Sequence, residues 1–182
     1  PSCNVPAYLL SSESPLVRVA EAVKSSGRLD ILVVGSRSST INSPNGAYPA
    51  RLQMELRDKL PTLTVNVTIE LHVTQTAEEA VAGLGKRVEA RKPALVVWQT
   101  GTYDAMRSVD PEDFRNAVDE GVATIRKAGA DVVLMNLQYS PRTETMTSTA
   151  PYLDNMRVVA QQYDVPLFDR FAIMRHWNED GD

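Results

Sequence analysis

Five clusters of side chains suited to polar recognition follow the apolar runs of this chain. The first is Gly35-Ser36-Arg37-Ser38-Ser39-Thr40, a hydroxyl-rich turn carrying one guanidinium. The second holds His72, Thr74, Gln75 and Thr76, and the third runs Gln99-Thr100-Gly101-Thr102-Tyr103-Asp104. The fourth contains Asn136, Gln138, Tyr139, Ser140, Arg142 and Glu144, and the fifth Asp169, Arg170, Arg175 and His176. Hydroxyls, amides, Arg and Tyr dominate these clusters, whereas Lys and Glu dominate idle surface. Such a set suits a polyhydroxylated or anionic small molecule. Tyr103, Gln138, Tyr139 and Arg142 would grip it by stacking and forked hydrogen bonds.

The clusters meet only if the elements before them open on one edge. Leu29–Val34, Thr64–Leu71, Ala94–Trp98, Asp131–Leu137 and Val165–Phe168 read as strands. The first, third and fourth are almost continuously apolar, as strands buried on both faces of a parallel sheet are. Between them, Pro15–Ser26, Tyr48–Leu60, Ala77–Arg91, Pro111–Ala128 and Pro151–Tyr163 carry helical spacing. Asp110-Pro111-Glu112-Asp113 supplies a capping Asp, a Pro in the first turn and acids at the positive end of the helix dipole. Those roles explain the acids without a metal. Gly129 after Lys127-Ala128 reads as a helix stop.

Alternating strands and helices with short connections predict right-handed crossovers. The expected fold is α/β: a three-layer α/β/α sandwich around a mainly parallel five-stranded sheet of flavodoxin-like form. Ligands of such sheets gather at the carboxyl ends of the strands. The same edge carries all five clusters.

At 182 residues the chain is expected to be one domain, 1–182, burying roughly two thirds of its unfolded surface. A formal charge of −4 with no basic run argues against nucleic acid as a partner. No apolar stretch approaches the roughly 20 residues of a membrane span. The chain begins Pro1-Ser2-Cys3 without an initiator Met, as signal-peptide removal or simple trimming would leave it. The first predicts an extracytoplasmic protein. Cys3 is the single cysteine, so any disulfide partner lies outside the sequence. The expected partner is a small molecule, a carbohydrate or an acylated ligand, with no cofactor required and the oligomeric state left open.

Three stretches together resemble the SGNH/GDSL hydrolases, a family of esterases and acyl hydrolases. They are the Gly-Ser-rich turn after the first buried strand, Tyr48-Pro49-Ala50-Arg51-Leu52 opening the next helix, and Leu95 through Asp104. Val165-Pro166-Leu167-Phe168-Asp169 matches a late strand of that family. The resemblance implies the SGNH type of the fold and nucleophilic acyl transfer. A serine two residues after the glycine attacks an ester carbonyl, and a late Asp-x-x-His supplies base and orienter. The oxyanion is held by the serine N–H, a glycine N–H after the second strand, and an Asn side chain, each donor worth about 3 kcal/mol in the transition state.

Against that pattern the catalytic set is degenerate. Two residues past Gly35 stands Arg37, which is no nucleophile. A one-residue insertion would bring Ser38 into the slot, with Ser36 and Ser39 as weaker candidates. No glycine follows the second strand in Glu70-Leu71-His72-Val73-Thr74, and Tyr103 replaces the Asn of Gly-x-Asn-Asp. No Asp-x-x-His occurs, and only His72 and His176 are available as bases. The catalytic candidates are therefore Ser38, Asp169 and His176. Residues seven apart on a helix lie about 10 Å apart, too far for a direct bond between the last two. The resemblance also allows the missing Asp and His to lie beyond residue 182. Binding candidates are Gly35, Ser36, Arg37, His72, Gln99, Thr102, Tyr103, Asp104, Gln138, Tyr139 and Arg142.

Three readings follow: a protein of esterase ancestry with lost or reduced hydrolysis and a retained ligand pocket; an active ester hydrolase using Ser38; and a flavodoxin-like phosphate or flavin binder. Against the third, the helix after the turn begins only near Tyr48 and Pro44 interrupts the loop. Ser140 through Thr149 reads either as a lid over the pocket or as an exposed loop of no special duty.

Overall fold

The structure is a computed structural model describing residues 4–39 and 46–181, and of Ser38 only the backbone. Cys3, Thr40 and Pro44 lie outside the described residues. In chain order the elements are α1 (Val17–Ser26), β1 (Arg28–Gly35), α2 (Tyr48–Lys59), β2 (Thr64–Leu71), α3 (Ala77–Val81), α4 (Leu84–Arg91), β3 (Leu95–Gln99), α5 (Thr102–Met106), α6 (Pro111–Lys127), β4 (Asp131–Met135), α7 (Pro141–Met146), α8 (Ala150–Tyr163), β5 (Leu167–Phe168) and α9 (Arg170–Asp180).

The five strands form one parallel sheet in the order β2-β1-β3-β4-β5. This is the α/β sandwich that the apolar runs predict. Alternate residues of each central strand feed opposite layers. Leu32, Val34, Val96 and Trp98 join Phe114, Val122 and Met156 on one side. Ile31, Val33, Leu95 and Val97 pack with Val19 and Leu56 on the other. Both sets must be apolar, so the central strands read as continuous runs. The edge strand β2 alternates instead, with Val65, Val67, Ile69 and Leu71 on one face.

Two connections depart from the sequence reading. The segment expected as one helix, Ala77–Arg91, is broken at Ala82-Gly83 into α3 and α4, with Gly83 at φ 73. The break leaves carbonyls without helical donors, and Arg87 donates to two of them, Ala82 O at 2.7 Å and Ala80 O at 2.9 Å. The Ser140–Thr149 loop contains α7, capped where Ser140 Oγ accepts from Thr143 N at 3.1 Å. The Asp110 cap forms as expected, accepting from Glu112 N at 2.9 Å. Gly129 follows the end of α6 at φ 95.

The layer between α6 and the sheet depends on one missing side chain. A Cβ on Gly121 would lie 2.3 Å from the Trp98 ring, and Trp98 is fully buried. Gly121→Ala gains at most about 1 kcal/mol of helix propensity. Overpacking against an indole that cannot move costs about 1–3 kcal/mol, toward the upper end for so close an approach. The variant should therefore unfold at lower denaturant than the parent, and an equal or higher midpoint in urea would contradict this packing.

Candidate functional site

The carboxyl ends of β1 and β3, the segment after β2, and the start of α5 surround one cleft of about 340 Å³. Its shape begins with Gly35, the last residue of β1. A Cβ there would lie 2.2 Å from Ser39 Oγ, so only glycine lets the following 3-10 turn, Arg37–Ser39, fold back on the strand. The turn is closed by Ser39 N donating to Ser36 O at 2.9 Å. Arg37, two residues past the glycine, is exposed and lines the cleft, as does Ser36.

Beneath the turn the Gln99 carboxamide joins three segments. Its Oε1 accepts from Ser39 Oγ at 3.2 Å and from Tyr48 Oη at 3.5 Å, and its Nε2 donates to Ser36 Oγ at 2.9 Å. Ser39 is fully buried. Burial raises the Tyr48 phenol, partly countered by its bond to Ser39 and by the charge of Arg170. Arg170 opens α9 and donates from Nη2 to Asn136 O at 3.0 Å. Its burial pulls the guanidinium down to about 10.

The second wall follows β2. His72 Nε2 meets Glu70 Oε1 at 2.7 Å and its Nδ1 meets Gln75 Oε1, so both ring nitrogens are engaged. Glu70 also pairs with Arg87 Nε and, at 3.5 Å, with Arg91 Nη2. Burial alone would raise the Glu70 carboxyl. The bond from His72 and the charges of Arg87, His72 and Arg91 outweigh it and hold the group below its ordinary value. After the strand, Thr74 adopts φ 63, a left-handed conformation that favours glycine. A threonine thus occupies a glycine-favouring backbone position in the segment where the family resemblance calls for one.

The third wall is the start of α5. Gly101 has φ 102, and a Cβ there would lie 2.5 Å from Leu137. Thr102 Oγ1 accepts from Gln138 N at 2.9 Å, tying this loop to the one after β4. Tyr103, Met106 and Gln138 line the cleft. Asp104 lies beneath it, 1 % exposed. Its Oδ1 accepts from Ala77 N at 2.9 Å and so positions the start of α3. Burial raises this carboxyl despite backbone bonds from Ala77, Asp104 itself and Gly101.

Of the residues expected at the site, Ser36, Arg37, His72, Gln99, Thr102, Tyr103 and Gln138 share this cleft, with Gly35 and Asp104 shaping it from below. The remainder lie elsewhere. Tyr139 is buried edge-on against Phe171, ring centroids 5.3 Å apart. Arg142 sits on α7 and is exposed. Asp169 caps α9, accepting from Ala172 N at 3.0 Å and from Asn136 Nδ2 at 2.8 Å. His176 pairs with Asp180 at 3.2 Å, one turn along the same helix. The Ser38 side chain lies outside the described part of the structure. Sequence reading missed the supporting roles of Tyr48, Glu70 and Arg87, and named Asn136 only as a member of the fourth polar cluster. The polar even positions of β2 and the i, i+4 spacing of Arg87 and Arg91 were the available signals. Among the described residues no group of three or more His, Cys, Asp or Glu could hold a metal ion.

A family model described as "Non-GDSL lipase-like family" matches residues 2–182. Among solved structures, TesA is similar at 25% identity and a TM-score of 0.65, over 76% of each chain. AlinE4, an SGNH-hydrolase family esterase, shares 16% identity at a TM-score of 0.70, covering 85% of this chain and 82% of its own. A catalytic mutant of Axe2, an acetylxylan esterase from Geobacillus stearothermophilus, shares 15% identity at 0.70, covering 83% and 80%. No curated protein matches the sequence.

The Glu70 network sets a pH dependence with a defined sign. A carboxyl held below its unfolded value contributes stability above that value and loses it as the pH falls through the folded one. Glu70→Gln should therefore destabilise the protein near pH 7, and the gap to the parent should narrow once the pH drops below about 4.5, the ordinary value. Urea midpoints across pH 3–8 read it; a gap that is constant with pH would remove Glu70 as the responsible charge.

Proposed function

Since the chain belongs to the non-GDSL lipase-like family and carries the SGNH-hydrolase fold, we propose that it is a protein of esterase ancestry whose ester hydrolysis is lost or reduced. The cleft is kept as a binding site for a sugar or acylated small molecule. The observation that carries this reading is Arg37. It lines the cleft two residues past Gly35, where the family resemblance places the attacking serine. A guanidinium stays protonated at physiological pH and cannot attack a carbonyl.

The partners that a nucleophile requires support the same reading. Nucleophilic acyl transfer needs a base within about 3 Å of the attacking oxygen and a group that orients the base. Asp169 and His176 each have other partners. His72 is in the cleft, but both of its ring nitrogens are engaged by Glu70 and Gln75. The Ser36 hydroxyl accepts from Gln99. What remains is recognition. Amides, hydroxyls and Arg37 line the cleft together with apolar Val73, Trp98 and Met106, the mixture typical of small-molecule pockets.

A second reading, retained hydrolysis with Ser38 as nucleophile, is favoured by one observation. The pairing of His72 with Glu70 at 2.7 Å resembles the imidazole–carboxylate pair that orients a catalytic base. A serine-directed fluorophosphonate separates the two. The expected outcome is an unchanged intact mass after prolonged exposure. Stoichiometric mass gain mapped to Ser38 would reject the degenerate reading in favour of an active esterase.

A further inference from the structure

We propose that the outer edge of β2 is the contact surface for a second copy of this chain, the two strands pairing antiparallel about a two-fold axis at Ile69. The surface lies on the rim of the sheet, so what the cleft binds does not bear on it.

Backbone pairing defines that edge. β2 and β5 are the outer strands of the sheet, and β5 has only two residues against the eight of β2. Thr64 N donates to Gly27 O and His72 N to Gly35 O, so the even positions of β2 bond to β1. A parallel ladder alternates, and the N–H and C=O groups of Val65, Val67, Ile69 and Leu71 therefore point outward. Helix α2 blunts the first half of that row. Gln53 Oε1 accepts from Val67 N at 2.9 Å, and Arg57 Nε donates to Val65 O at 2.9 Å. Among the described residues no group bonds to Val67 O, Ile69 N, Ile69 O or Leu71 N. The side chains there are open as well, Ile69 at 40% and Leu71 at 44% exposure. An unpaired row of this kind is a template for a further strand.

The unbonded groups select a second copy in one register. With Ile69 opposite its counterpart, the two Ile69 residues exchange N–H and C=O bonds, and Leu71 N of each copy meets Val67 O of the other. Those bonds use every open group just named and leave the Gln53 and Arg57 caps in place. Moving the axis to Val67 would need the N–H that Gln53 holds. Moving it to Leu71 would run the pairing past the strand end toward Thr74, whose φ of 63 leaves the extended region. In the Ile69 register, Ile69 packs on Ile69 and Leu71 on Val67. On the other face Glu70 stands opposite Thr68 and His72 opposite Asn66, so no like charges are directly opposed. Glu70 is already paired with Arg87 and Arg91 of its own copy. The edge is thus complementary to itself in backbone groups, side chains and charge. The contact is narrow beside the roughly 800 Å² per partner of a stable complex, so the dimer forms reversibly at raised concentration.

The test is sedimentation velocity of the intact protein from about 5 µM to about 500 µM, a range that brackets weak contacts of this size, with amide hydrogen exchange read at both ends. The average mass should rise from monomer toward dimer, and the Ile69 and Leu71 amides should exchange several-fold more slowly at the upper end. Ile69→Lys sets two ammonium groups face to face across the axis and should weaken the dimer about tenfold or more. Val158→Lys, at an exposed apolar position of α8, should leave association unchanged. Far-UV circular dichroism and melting of dilute samples show that both variants fold, and the exchange reading on the parent needs neither. A monomer at every concentration overturns the inference, whether or not a foreign peptide protects the same amides. A dimer that ignores Ile69→Lys, or that leaves the Ile69 and Leu71 amides in fast exchange, puts the interface elsewhere and overturns it equally.

Discussion

The Gln99 carboxamide stands where β3 ends, and the geometry of the cleft depends on its being satisfied. Hydroxyls of Ser39 and Tyr48 reach its oxygen, and its nitrogen reaches Ser36. A buried amide left with an unmade bond costs about 1–3 kcal/mol, so the three groups form a unit that favours one arrangement over partial ones. The consequence is geometric. The turn after β1 is pinned to the end of β3, and α2 is pinned to both through Tyr48. Gly35 makes the approach possible, since any Cβ would occupy the place of Ser39 Oγ. Arg37 opens that turn and lines the cleft, between Ser36 and Ser39, both of which are bonded to Gln99.

Charge is arranged by a different rule. Glu70 sits on the edge strand β2, where its carboxylate meets Arg87 and Arg91 of α4. One carboxylate is shared among His72, Arg87 and Arg91, and of these His72 lines the cleft. The same Arg87 closes the break between α3 and α4 by binding their open carbonyls. A single side chain therefore links the chain break between α3 and α4 to Glu70 on β2. Asp104 performs a comparable task on the neighbouring loop, holding the first amide of α3.

Much of this was legible in the residues, and the limits have physical causes. The central strands announced themselves because each of their residues is buried, whichever layer it faces. The order of polar clusters along the chain was legible too, since a parallel sheet must release its loops on one edge. The break at Gly83 was not legible. A lone glycine inside a helical pattern is usually tolerated, and here the carbonyls it frees are satisfied by a guanidinium four residues on. Nor did sequence reveal that the loop after β4 divides, with Gln138 turned to the cleft and Tyr139 turned to Phe171. The aromatic ring gains more from burial in the core than from a polar rim. Tyr48 was hidden for the related reason that one hydroxyl on an apolar helix face carries no pattern.

The turn after β1 has structural requirements that are separable from any chemistry done on it. The backbone needs glycine at the strand end, a short helical turn, and a buried serine to lock it. These needs concern Gly35, Ser36 and Ser39, and two residues, Arg37 and Ser38, stand between the two serines. On the reading proposed above, a guanidinium two residues past Gly35 leaves this lock intact, because the hydroxyls that make it belong to Ser36 and Ser39. The fold of an esterase and the loss of its nucleophile are then compatible in one chain.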